Sequence, residues 1–267
     1  MRRPAASLAI RALATLAVLA VLTPACGKKD DPATLAPASS ALAASSADPA
    51  ATAWHFVIDP KSSTHVDMPG PKEHILGDTT AATGTLDVVA RDLSQSRGLV
   101  RVDLSTFSTD TFKGPDDATQ TTHARTWLEV VVDGKTNEPM RWADFAIRSL
   151  DNLSSSDLTK VAPTRDGDDD VRTVSATVHG DLLVHGHKTP KDAVVEVAFR
   201  YPSGAAPDAR PARIEVKSKQ PMRVVLKEHD IRPRDPAGQA LEWTTKLISK
   251  VAENADVSFA LGATPAP

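Results

Sequence analysis

Residues 172–201 read RTVSATVHGDLLVHGHKTPKDAVVEVAFRY, and two runs of period-two alternation meet within them at Gly186. In the first run Val174, Ala176, Val178, Gly180, Leu182 and Val184 fall on one side. In the second, Ala193, Val195, Val197, Phe199 and Tyr201 share a face, and Asp192, Glu196 and Arg200 take the other. Successive side chains of a strand point to opposite faces, so each run gives one apolar and one polar surface. The glycine between them makes 172–201 a hairpin. This is the pattern of antiparallel strands with one buried and one wet face.

The same alternation recurs on either side. Gly98, Val100, Val102 and Leu104 alternate with Arg101 and Asp103, and Ala255, Val257, Phe259 and Leu261 alternate with Asp256 and Ser258. Further strands are expected at 54–58, 65–68, 83–90, 140–150, 212–218 and 221–226. Two helical segments interrupt them. One lies near 117–130, where Ala124, Trp127, Leu128 and Val131 have helical spacing. The other runs from about 236 to 252, with Asp235 as cap, Pro236 in the first turn and Leu241, Ile248 and Val251 as its stripe. Many strands, few helices and roughly 210 residues describe a mainly β domain, a barrel or a sandwich.

Composition narrows the classes of function. The 267 residues carry a net charge of −3 with 4% aromatics, which excludes a strongly basic nucleic-acid binder. The single cysteine excludes an internal disulfide framework and any multi-cysteine metal site.

That cysteine, Cys26, belongs to the amino-terminal segment. Arg2, Arg3 and Arg11 precede an apolar run from Ala12 to Leu22 that is too short to span a bilayer and suits the centre of a secretory signal. Thr23-Pro24-Ala25-Cys26 then resembles a bacterial lipoprotein cleavage site, although Thr23 stands where leucine is usual. The resemblance implies a signal peptide over 1–25 and a lipid on Cys26. The alternative is ordinary cleavage after Ala25. Gly27, rather than aspartate, follows the cysteine and points to the outer membrane. In 27–53, 19 of 27 residues are Ala, Pro, Ser or Thr, so 26–53 reads as a disordered tether carrying a domain at 54–264. The tail 262–267 is expected to fray.

Several short motifs in the domain resemble the YceI family. Trp54-x-x-x-Ile58-Asp59 with Ser62-Ser63, Gly77, Gly84-Thr85-Leu86, and Val102-Asp-Leu-Ser-Thr106 with Thr109 all match its pattern. The fullest match is Gly180-Asp-Leu-Leu-Val-His-Gly-His-Lys-Thr-Pro190 and the strand after it. Glu228-His229-Asp230-Ile231 departs by carrying Asp230 where glycine is usual, and Ser62 stands where histidine is common. Segments 116–140, 151–171 and 235–252 are longer than typical. The resemblance implies an antiparallel lipocalin-like β-barrel whose elongated apolar lumen binds a polyisoprenoid or similar lipid. Candidate lumen residues are Val178, Leu182, Val184, Val195, Val197 and Phe199. An eight-stranded barrel can equally be packed solid.

Other groupings carry less. His179, His185 and His187 would need about 20 Å of strand to fold back on one ion, so they read as solvent-facing. Asp166-Gly-Asp-Asp-Asp170 lacks the glycine and the distal glutamate of a calcium loop and reads as a mobile loop. Glu228-His229-Asp230 reads as a charged turn. No nucleophile elbow or His-Glu-x-x-His motif occurs. The expectation is an envelope lipoprotein, facing the periplasm, that is not an enzyme and uses no cofactor or metal. The alternatives are an enzyme with polar residues at the barrel mouth, and a structural module without ligand.

Overall fold

A computed structural model describes residues 53–70, 74–241 and 252–267. The chain enters with β1 (Trp54–Ile58) and β2 (Ser63–Pro69), two halves of one bent arm. It returns through β3 (His74–Thr79) and β4 (Ala82–Val88), so that Trp54 pairs with Val88 and Pro69 with His74. The bend in the first arm is tied to the far end of the chain. The Asp59 amide donates to the Gly262 carbonyl, and the Gly262 amide donates to the buried Ser62 hydroxyl at 3.0 Å.

The third arm is β5 (Arg97–Asp103), continued after a short turn by β6 (Ser108–Thr109). Helix α1 (Asp116–Trp127) comes next, shorter than the 117–130 expected. Two further strands, β7 (Val131–Val132) and β8 (Lys135–Thr136), make a separate two-stranded turn. The main sheet resumes with β9 (Trp142–Asp151), beside β5. A three-residue strand, β10 (Thr164–Asp166), folds directly onto β11 (Asp169–Val184). The aspartate-rich segment is therefore a tight hairpin about Gly167 rather than a mobile loop, with Asp166 and Asp169 both paired to Arg200.

The long hairpin of β11 and β12 (His187–Pro202) pairs without interruption from Asp169–Pro202 to Val184–His187. Its turn is His185-Gly186, at φ 52° and 75°, the two positive values that a tight hairpin needs to match strand twist. The arm formed by β13 (Arg213–Ser218) and β14 (Met222–Val225) leads to β15 (Asn254–Pro265). Strand β15 then pairs with β1, Phe56 opposite Pro265, and closes the ring. Residues 262–265 thus complete the barrel instead of fraying.

Counted as arms, eight antiparallel positions succeed one another around the ring, each bonded to the next in sequence. This is an antiparallel, lipocalin-like barrel with one α-helix among the described residues. Of the helix expected at 236–252, residues 236–241 form a turn instead. Asp235 accepts from the Gln239 amide at 2.8 Å, and Arg234 bridges to Ala240. The rest of that segment, 242–251, lies outside the described residues, as do the expected signal peptide, Cys26 and residues 27–52 of the expected tether.

Candidate ligand cavity

The inward faces of the strands are those the alternation marks. Val174, Ala176, Val178, Leu182 and Val184 of β11 are buried, as are Ala193, Val195, Phe199 and Tyr201 of β12. Among the described residues, two spaces between the side chains of the eight arms lie along the lumen. The larger, about 180 Å³, lies at the end covered by α1. Its wall includes Val66, Met68, Phe107, Phe145, Met222 and Phe259, with Ala124, Trp127 and Leu128 coming from α1 and the residue after it. Thr64 and Thr79 are the polar side chains in that wall, and the buried Thr79 hydroxyl has no hydrogen-bond partner. The smaller space, about 80 Å³, lies towards the other end, against Leu86, Leu93, Ile147, Val174 and Ile214.

The six residues singled out from the alternation divide between the two. Leu182 and Val184 line the larger cavity, and Val178, Val195, Val197 and Phe199 line the smaller. Phe145 and Phe259 line the larger cavity and also pack with Val178, Ala193 and Val195, so they stand where the two spaces adjoin. Trp127, Phe107 and Phe145 were missed by sequence reasoning as cavity residues. For the two phenylalanines the signal was indirect: a Cβ on Gly77 would fall 2.5 Å from Phe107 Cζ, and one on Gly180 would fall 2.5 Å from Phe145 Cζ. The two strand glycines quoted in the sequence are seats for two rings of the cavity wall.

Helix α1 is fastened over the lumen by polar contacts. The Thr109 amide donates to the Thr121 hydroxyl at 2.9 Å, the Thr109 hydroxyl donates to the Asp117 carbonyl, and Arg125 Nε donates to the Phe107 carbonyl at 2.8 Å. Just past the helix, Glu129 meets His185 Nε2 and lies 3.4 Å from Arg234. His185 is buried rather than solvent-facing, because its other ring nitrogen bonds the His229 carbonyl at 2.9 Å. Glu129, His185 and Asp230 all adopt positive φ, near 50°. Asp230 thereby fills the left-handed position where the resemblance implies glycine, a conformation aspartate tolerates better than most residues.

His229 is fully buried, not part of an open charged turn. Its Nδ1 approaches the His187 carbonyl at 3.1 Å, and its Nε2 lies 3.1 Å from the Thr189 hydroxyl. Burial holds its pKa below the usual imidazole value. The donor atoms of His185, His187 and Asp230 lie within 4.8 Å of one another. Both nitrogens of His185 are engaged, however, and the Asp230 carboxylate is held by Arg232 at 2.9 Å and Arg234 at 2.8 Å. Two guanidiniums thus already balance the Asp230 charge. His179 stays on the outer face, between Asp192 at 2.7 Å and Asp151 at 2.9 Å, and these carboxylates raise its pKa.

Two solved structures are similar to this chain. One is a polyisoprenoid-binding domain from Saccharophagus degradans implicated in plant cell wall breakdown, with 15% identity and a TM-score of 0.48 over 79% of this chain and 98% of that one. The other is BcnA of Burkholderia cenocepacia, with 15% identity and a TM-score of 0.46 over 78% of this chain and 99% of that one. No protein-family model and no curated protein matches the chain.

Proposed function

We propose that this protein binds an apolar chain, isoprenoid-like or another lipid, inside the barrel. The observation that carries the reading is the cavity of about 180 Å³ with an almost wholly apolar wall. A cavity of about 150 Å³ lined by Leu, Ile and Phe stays dry and takes up benzene. The larger space therefore suits a branched five-carbon unit. At about 0.8 kcal/mol per buried CH₂ such a unit contributes roughly 3–4 kcal/mol before the costs of ordering. A longer chain would continue past Phe145 and Phe259 into the smaller cavity. Recognition of this kind calls for shape and dryness, with no catalytic residue. In this reading the protein is a binding protein rather than an enzyme.

We place it at the cell envelope, exported and held by a lipid on Cys26, with the outer membrane the preferred side. The sequence of residues 1–27 supports that placement. Native mass spectrometry of the purified chain, followed by organic extraction, tests the binding: a retained lipid of defined mass is expected. An empty barrel that takes up neither farnesol nor a fatty alcohol refutes it. Replacing Cys26 with serine should move the protein from the membrane to the soluble exported fraction, and unchanged membrane association refutes the anchor.

A further inference from the structure

The lumen beyond the smaller cavity ends on a polar pair. Arg172 and Tyr201 continue the inward rows of β11 and β12 one step past Val174 and Phe199, which line that cavity. Arg172 is only 4% exposed and Tyr201 only 1%. The guanidinium lies over the phenol ring, 4.6 Å from its centre. Its one hydrogen bond runs from a terminal nitrogen to the Pro207 carbonyl at 2.5 Å. Arg172 Nε and the Tyr201 hydroxyl are both buried without a partner.

A buried guanidinium is normally matched by a carboxylate. Here none lies within ion-pair distance among the described residues. Asp170, two residues away, is committed elsewhere, to the Gly204 amide at 2.8 Å and to Arg165 at 3.3 Å. Burial pushes the Tyr201 phenol above its usual pKa, so its hydroxyl stays a donor. The end of the lumen thus holds a guanidinium without a carboxylate partner, facing a buried phenol hydroxyl, next along both strands to residues that line an apolar space.

We infer that Arg172 and Tyr201 form a binding site for a carboxylate, the acid head of an amphiphile whose chain lies in the adjoining cavities. The charge balance selects the class. One guanidinium neutralises one carboxylate and leaves the interior neutral, whereas a phosphate monoester, at about −1.5 to −2, would bring excess charge into the same apolar end. The planar fork of arginine fits two carboxylate oxygens, and the tyrosine hydroxyl adds a third hydrogen bond. In binding, the carboxylate takes the place of the Pro207 carbonyl. The chain part of this assignment rests on the lipid-binding reading; the head part does not.

The test compares decanoate, decanol and acetate on the purified full chain at pH 8. Calorimetry should show decanoate binding at least about 10-fold more tightly than decanol, as expected for charge-assisted hydrogen bonds. Arg172→Gln should erase that preference, so that decanoate and decanol bind the variant with equal affinity. Tyr201→Phe, which keeps the packing, should reduce the preference several-fold and serves if the first variant does not fold. Acetate distinguishes a free carboxylate from an amphiphile by its effect on Tm. If acetate raises Tm in the parent but not in Arg172→Gln, and neither ten-carbon ligand binds, the head site stands and the lipid reading fails. Equal affinities for decanoate and decanol, with acetate without effect, overturn the head site and leave the lipid reading intact. If nothing binds and acetate has no effect, both fail.

Discussion

Replacing Ala193 with leucine asks directly whether the lumen is open. Ala193 is 4% exposed and lines the cavity of about 180 Å³. Leucine adds three carbon groups there, worth about 2.4 kcal/mol at 0.8 each, against about 0.5–1 kcal/mol of lost rotamer freedom. With space for those groups, the ligand-free protein should gain about 1.5 kcal/mol. For a domain of this size that raises Tm by about 3–6 °C. In a filled barrel the same change overpacks the interior and costs about 1–3 kcal/mol. The two cases differ in sign, so urea or thermal unfolding of delipidated protein separates them. The added groups also occupy ligand space, and about 2.4 kcal/mol of lost burial weakens binding of a chain about 50-fold. A variant destabilised by about 1 kcal/mol or more, or one that is stabilised yet binds as before, refutes the cavity argument.

Gly180→Ala should cost about 1–3 kcal/mol, because its Cβ would sit 2.5 Å from Phe145 Cζ and 2.7 Å from the Ala146 carbonyl oxygen. Phe145 lines the larger cavity, so its displacement should lower chain binding measured by calorimetry, whereas Gly186→Ala in the open hairpin turn should lose stability alone. Val197→Lys should fold with reduced stability and lose its extractable lipid; an insoluble product would favour a solid core, and a folded one that keeps its lipid would place this face away from the ligand. His179 has a folded pKa raised by Asp192 and Asp151, so its contribution is full below the unfolded value near 6.5 and is lost as pH rises through the folded value. Parent and His179→Gln should therefore differ by about 0.2–1 kcal/mol at pH 5.5 and converge in alkaline buffer, and a gap that widens with pH would refute the ion-pair assignment.

Much of the barrel was legible because strand alternation is a local property. The rows 174–184 and 193–201 name their inward residues without reference to any other strand. The turn at Gly186 and the eventual burial of those rows came from the same pattern. Strand β3 was marked only by its glycine in the family resemblance, since His74-Ile-Leu-Gly-Asp-Thr79 alternates weakly. The failed helix at 236 shows the limit of capping signals: Asp235 does accept an amide hydrogen bond, but from Gln239 in a closed turn. A cap residue offers the bond, and the packing of the neighbouring chain decides whether a helix or a turn uses it.

What the sequence determined by itself was the class of fold and the apolar faces of the strands, both written in neighbouring positions. Closure of β15 onto β1, the division of the lumen into two cavities and the seating of Phe107 and Phe145 on Gly77 and Gly180 were decided only by the tertiary structure. So were the burial of His185 and His229 and the isolation of Arg172, whose character depends on which carboxylates the fold leaves out of reach. Alternation says which side of a strand faces inward. How full that interior is, and which charges in it find partners, depends on side chains far apart in the chain meeting in the same few ångströms.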